Sequence, residues 1–136
     1  MRYLLDTNIC IYLLQGQPTE VFERFAQLEF GDVGMSCITF AELRHGALSR
    51  PDKQRERDLA TLDSLIKDIP ALPFDIAAAS AFAELGARTK LRRNQAIDNL
   101  IAAHAISVGA TLVTNNEKDF RGYAGLQVEN WAAPGK

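Results

Sequence analysis

What the chain lacks narrows its class before any motif is read. It has two cysteines, Cys10 and Cys37, at no metal-type spacing, and so few thiols point to a reducing cytoplasm. It has two histidines, His45 and His104, with no partner at ligand spacing, which makes them packing or surface residues rather than general bases. No apolar run approaches the ~20 residues that a membrane helix needs, so no membrane association is expected. The N-terminus enters a strand-like run at once, leaving no room for a signal peptide. Positive charge is also in short supply. Fifteen Lys and Arg face 17 Asp and Glu, a formal net charge of −2. That excludes a general nucleic-acid binder, and any such contact has to come from a local patch. Internal repeats, low-complexity segments and linkers are missing too.

What is present is an ordinary globular composition, 47% hydrophobic and 24% charged over 136 residues, enough for one domain with a sizeable core. Tyr3, Leu4 and Leu5 form a short apolar run, as expected of a strand buried on both faces. A helical stretch from Ile9 to Leu14 follows, and Pro18 opens another carrying Val21, Phe22, Phe25 and Leu28 at helical spacing. Val33, Met35 and Cys37 alternate like a short strand. A helix then runs from Thr39 to about Ser49, and a strongly charged one from about Asp52 to Asp68. Leu72, Pro73 and Phe74 mark a brief strand, and Asp75 caps an alanine-rich helix reaching about Lys90. After the polar joint Arg92-Arg93-Asn94-Gln95, a helix carries Ile97 to Val108 and stops at Gly109. Ala110 to Val113 and about Leu126 to Val128 complete the strands, with Trp131 packing beyond. Strands alternating with helices predict an α/β domain over residues 1–136. Its core is an open parallel sheet of four to five strands flanked by helices.

Three acids stand at element ends. Asp6 follows the first strand directly, where ligands bind in open α/β sheets, and it serves equally well as an N-cap. Glu42 closes a Thr39-x-x-Glu42 capping box, which is a sufficient structural account of it. Asp98 lies near the start of its helix, where a carboxylate favours the dipole. Gathered at one sheet edge, the three would repel one another unless hard cations neutralised them. Mg²⁺ suits such oxygen ligands, with Mn²⁺ as a substitute, and the cluster could then activate water against a phosphodiester.

The motifs Leu-Leu-Asp-Thr-Asn, Ala-Glu-Leu-Arg-His-Gly, Ile-Asp-Asn-Leu-Ile-Ala-Ala-His-Ala and Leu-Val-Thr-Asn-Asn occur in this order. With the closing Gly-Leu-Gln-Val-Glu-Asn-Trp, they resemble the PIN-domain ribonucleases, and more narrowly the VapC-type toxins of bacterial toxin–antitoxin pairs. The resemblance runs from Arg2 to Trp131. It implies a Mg²⁺-dependent endoribonuclease acting on RNA, transfer RNA among its targets, with Asp6, Glu42 and Asp98 as the family's three acids. It also implies a VapB-type antitoxin and a toxin homodimer inside a larger complex. Two positions depart from the family pattern. Asn116 stands where many PIN domains place a fourth acid, and Arg92-Arg93-Asn94-Gln95 replaces a glycine- and proline-containing turn. Glu117 and Asp119 read as a solvated helix start.

Around the acids, Thr7, Asn8 and Thr114 are placed to orient a carboxylate or a water, and capping explains each about as well. The Asn116 amide oxygen can bind a metal or its water without adding charge. Arg88, Lys90, Arg92 and Arg93 form a positive stretch with no intervening acid, a solvated helix end or a grip on RNA phosphates. Ile11, Leu14, Phe22 and Phe25 predict an apolar groove for an antitoxin segment. Two other readings stay open: a catalytically inactive PIN scaffold, and a haloacid-dehalogenase-like phosphotransfer enzyme with Asp6 as nucleophile. Asn8, where the latter carries a second Asp, weighs against it.

Overall fold

Tyr3–Leu5 forms β1, the middle strand of the sheet, and all three residues are buried. Successive side chains of a strand leave on opposite faces. Tyr3 and Leu5 accordingly join a core with Ile9, Val21, Met35 and Leu62, whereas Leu4 joins a second core with Leu85, Ile101, Ala105 and Leu112. Burial on both sides explains why β1 is continuously apolar rather than alternating. The computed structural model describes residues 1–132.

The chain runs β1, α1 (Thr7–Gln15), α2 (Thr19–Ala26), β2 (Val33–Ser36), α3 (Cys37–Leu48), α4 (Asp52–Asp68) and β3 (Ala71–Leu72). It continues through α5 (Ile76–Arg88), a 3-10 turn (Arg93–Gln95), α6 (Ala96–Ser107), β4 (Thr111–Val113), α7 (Glu117–Phe120) and β5 (Val128–Glu129). The strands pair in parallel, in the order β3-β2-β1-β4-β5. The chain thus steps outward to β3, then returns to lay β4 and β5 on the other side of β1. Between β1 and β4 the direction of winding reverses, and in open α/β sheets the ligand crevice forms beyond the strand ends at that point.

The five strands and the main helices follow the sequence reading, with shifts at the ends. Cys37 is the first residue of α3 rather than part of a strand, because the Ser36 hydroxyl accepts the Ile38 N–H at 3.1 Å and caps the helix. All four β2 residues are buried, so no alternation marks the strand's end. β3 ends at Leu72 instead of running on to Phe74. Pro73 has no N–H to extend a ladder. α5 stops at Arg88, short of Lys90, and β5 extends to Glu129. Asp75 caps α5 as expected, accepting the Ala78 N–H at 3.0 Å. His104 is a packing residue: it is buried, with Nδ1 2.7 Å from Ser36 Oγ, and it ties α6 to the start of α3.

Candidate active site

Asp6 occupies the crevice end of β1 and both of its oxygens are engaged. Oδ1 accepts the Thr7 N–H at 2.8 Å, so Asp6 does cap α1, and Oδ2 accepts the Thr114 hydroxyl from the end of β4 at 2.8 Å. The residue is only 6% exposed. Its donors are neutral, and burial holds the carboxyl above its ordinary value, assisted by the nearby charges of Glu42 and Asp119. Capping and burial among acids therefore coexist in one residue.

Glu42 does not sit in a capping box. Since α3 begins at Cys37, Glu42 lies in the second turn, and Ser36 rather than Thr39 supplies the cap. Thr39 is buried inside the helix, with a hydroxyl that finds no hydrogen-bond partner among the described residues. Glu42 is exposed at the mouth of the crevice, where Oε1 accepts the Thr7 hydroxyl at 2.6 Å. Thr7 thus touches both Asp6, through its amide, and Glu42, through its side chain.

Asp98 is half-buried in the first turn of α6. Burial first, then the charges of Asp6, Asp119 and Glu42, push its carboxyl up to about 6. Asp98 therefore feels both of the other acids named from sequence, and Asp6 feels Glu42. Among the described residues none of them takes part in an ion pair.

A fourth acid belongs to this group, and the sequence reading had set it aside. Asp119, on α7, raises the carboxyls of both Asp6 and Asp98. The signal was its spacing. Three residues beyond the helix-starting Asn116, it returns to the same side of the turn. Asn116 itself is exposed, and its N–H donates to the Thr114 hydroxyl at 3.0 Å, which helps hold the group that grips Asp6. Asn8 donates a long 3.5 Å bond to Asn115, whose amide donates to the Tyr12 hydroxyl at 2.6 Å. Asn115, not singled out from sequence, is thus the link between α1 and the end of β4.

Among the described residues, no three His, Cys, Asp or Glu side chains converge closely enough to hold a metal ion as they stand. The donor set nevertheless fits a hard divalent cation. It consists entirely of carboxylate oxygens, none of them in an ion pair among the described residues. Burial together with the charges of Asp6, Asp119 and Glu42 pushes Asp98 up to about 6, and a bound cation would stabilise its charged form.

The sequence pattern of the PIN domain family matches residues 3–126. This chain belongs to the PIN domain family. It is 36% identical to the tRNA(fMet)-specific endonuclease VapC of Shigella flexneri, covering 97% of this chain and 99% of that one. Its fold is similar to the solved structure of VapBC2 from Rickettsia felis bound to a DNA fragment from their promoter. There the TM-score is 0.83 at 32% identity, over 96% of this chain and 99% of that one. VapBC-5 of Mycobacterium tuberculosis, a member of the VapBC family of toxin-antitoxin systems, matches with a TM-score of 0.67 at 29% identity. That match covers 95% of this chain and 98% of the other.

Around the acids this PIN domain carries two recesses of different character. An elongated groove of about 490 Å³ runs from Thr7 and Glu42 along α1, α3 and α4, past Ile11, Leu14, Leu43 and Arg57. Phe22 and Phe25 do not line it. Phe22 is 51% exposed on α2, and Phe25 lines a separate hollow with Leu28, Phe30 and Val33. The single groove expected from sequence is therefore two surfaces, because α1 packs against α3 and α4 on one side and α2 on the other. The basic joint divides likewise. Lys90 and Arg92 line a polar pocket beside Asp119, Arg93 lines an apolar recess with Phe82, Leu91 and Leu100 that Arg92 also borders, and Arg88 lines neither.

Proposed function

We propose that this chain is a Mg²⁺-dependent endoribonuclease, with Mn²⁺ able to substitute, and the toxin half of a cytoplasmic toxin–antitoxin pair. The observation that carries this reading is Asp98: half-buried, raised to about 6 by that burial and then by the charges of Asp6, Asp119 and Glu42, and in no ion pair among the described residues. Asp6, Glu42 and Asp98 would hold the ion, with Asp119 and the Asn116 amide at its margin. When bound, the ion supplies Lewis acidity and offsets the charge that builds on a phosphodiester under attack.

The other residues orient these acids. Thr114 and the Thr7 amide hold the two oxygens of Asp6 in fixed directions, so it presents its remaining lone pairs to the crevice. The Thr7 hydroxyl holds Glu42 at the rim, and Asn8 steadies Asn115 behind it. Lys90 and Arg92 supply the local positive patch that an RNA-binding chain of net negative charge requires. The specific RNA, with transfer RNA the leading class, follows from the Shigella relative's name and not from any base-reading group in the crevice.

The groove along α1, α3 and α4 suits a VapB-type antitoxin. Ile11 and Leu14 offer apolar contact, and a basic antitoxin side chain reaching Glu42 would block the acids by charge. The toxin is proposed to act as one domain, paired as a homodimer within the larger complex.

The test is cleavage of purified RNA with Mg²⁺, with Mn²⁺ and with excess chelator, followed by sequencing of the new RNA ends after brief induction in cells. Cleavage with either ion and none with chelator supports the reading, and undiminished cleavage under chelation overturns it. Leu14→Glu should cleave normally while the adjacent antitoxin gene no longer restores growth. Full protection of that variant would place the antitoxin elsewhere.

A further inference from the structure

The polar pocket next to the acids has features that catalysis by the carboxylates does not use. Its volume is about 330 Å³, at the lower end of the range for small-ligand sites. Three cations line it: Lys90 and Arg92 from the α5–α6 joint and Lys118 from α7. Among the described residues none of the three takes part in an ion pair. Facing them is a single acid, Asp119, which also belongs to the carboxylate group. The pocket therefore has an uncompensated positive wall that ends where the acids begin.

The walls are fastened together. Asn99, the residue after Asp98, is buried, and its amide donates to the Arg92 carbonyl at 3.0 Å. The Tyr123 hydroxyl donates to Asn99 Oδ1 at 2.6 Å. This chain of bonds joins the basic joint, the start of α6 and the segment after α7, so the three cations sit on a fixed frame rather than on independent loops. It also engages Asn99 and Tyr123, two of the uncharged polar residues that line the pocket beside Thr89 and Gln95. The Tyr123 ring is buried against Phe120, and both polar ends of the Asn99 amide are engaged. An apolar protein segment would find no anchor here, and a stacked base would find no open ring.

We propose that this pocket takes the sugar–phosphate of the nucleotide next to the scissile bond, with Lys90, Arg92 and Lys118 around its phosphate. The inference rests on the nuclease reading. It separates two tasks on the molecule: the pocket positions the strand without regard to base, and the acids cut it. Two of the four basic residues singled out in the sequence, Arg88 and Arg93, have no part in it, and Lys118 is added.

The experiment uses the full chain carrying Asp6→Asn, so that the probe stays intact. Fluorescently labelled single-stranded oligo-uridine and oligo-adenosine are titrated at several salt concentrations by anisotropy. Cleavage by proteins with Asp6 restored is followed in parallel. Lys90→Ala and Lys118→Ala should each weaken both probes about threefold to tenfold and lower the salt slope by about 0.7, the value for one phosphate contact in a single strand. Lys118→Arg should restore both, and Lys53→Ala, an exposed lysine on α4, should change neither. Unchanged affinity and slope in a protein that still cleaves RNA would overturn the pocket and leave the nuclease standing. A loss confined to one of the two probes would overturn the sugar–phosphate assignment in favour of base reading. A wild-type protein that binds the probes but never cuts would instead sink the nuclease reading, and the pocket's salt slope would still decide the binding question.

Discussion

Asp6 and Glu129 are both carboxylates at the crevice ends of parallel strands in one sheet, yet their surroundings are opposite. Glu129, on the edge strand β5, accepts from Arg24 at 3.1 Å and from the Trp131 indole N–H at 3.1 Å. The same Arg24 lies over the Trp131 ring, and Tyr3 packs edge-on against it. Asp6, on the central strand, is buried with neutral donors and has Glu42 and Asp119 for charged company. The first carboxylate is matched by a cation and staples β5 to α2. The second, with Asp98, remains among like charges, and only an ion from outside would balance it. The two carboxylates differ in charged company rather than in kind.

The comparison breaks most visibly if the unmatched acids are neutralised one at a time. Asp6→Asn, Glu42→Gln and Asp98→Asn should each lower RNA cleavage about a thousandfold or more. Thermal unfolding without divalent ions should hold or rise, because each change relieves repulsion. Near wild-type cleavage in any one of them would make that residue structural.

A smaller effect lies in the pH dependence. The Asp98 carboxyl sits at about 6 when folded, above the ~4 of an unfolded chain. Between those values the native state binds more protons, so stability should fall as pH rises through the window. Unfolding temperature without divalent ions should therefore drop by a few degrees between about pH 4 and pH 6. Asp98→Asn should flatten that slope, and Mg²⁺ should restore stability at neutral pH. Burial contributes most to the raised value and the charges of Asp6, Asp119 and Glu42 add to it, so Asp119→Asn should reduce the slope in part. An identical slope in the Asp98 variant would mean that its carboxyl faces solvent.

The smallest effect belongs to the matched carboxylate. Arg24 and Glu129 are both well exposed, and such pairs contribute about 0–1 kcal/mol. Glu129→Gln should lower stability by no more than about 1 kcal/mol in denaturant titration and leave cleavage unchanged. A large loss of cleavage would show that the staple also shapes the crevice.

Much was legible in the residues themselves. Asp6, Glu42 and Asp98 were read as acids near element ends, and the family resemblance grouped them as one candidate site. The buried apolar runs of β1 and β4, the cap at Asp75 and the break at Gly109 are local signals that needed no tertiary context. Where the reading failed, two local explanations competed. Thr39-x-x-Glu42 looks like a capping box, but Ser36 lies one turn earlier and takes the cap, which no spacing rule ranks in advance. Asp119 does stand exposed in the first turn of a helix, as read, but its charge also acts on Asp6 and Asp98, which adjoin it only in space. The groove was misjudged for a similar reason. Helical periodicity names an apolar face without naming the neighbour that covers it.

The sequence by itself determined the strand and helix order and the parallel sheet, because these depend on periodicity, caps and spacing within short stretches. Tertiary structure alone decided which charges go unmatched. The reversal of winding beside β1 sets β4, α6 and α7 around Asp6, bringing residues more than 90 positions apart into one field. Coulomb energy depends on distance through space and on burial, and the order of residues along a chain records neither.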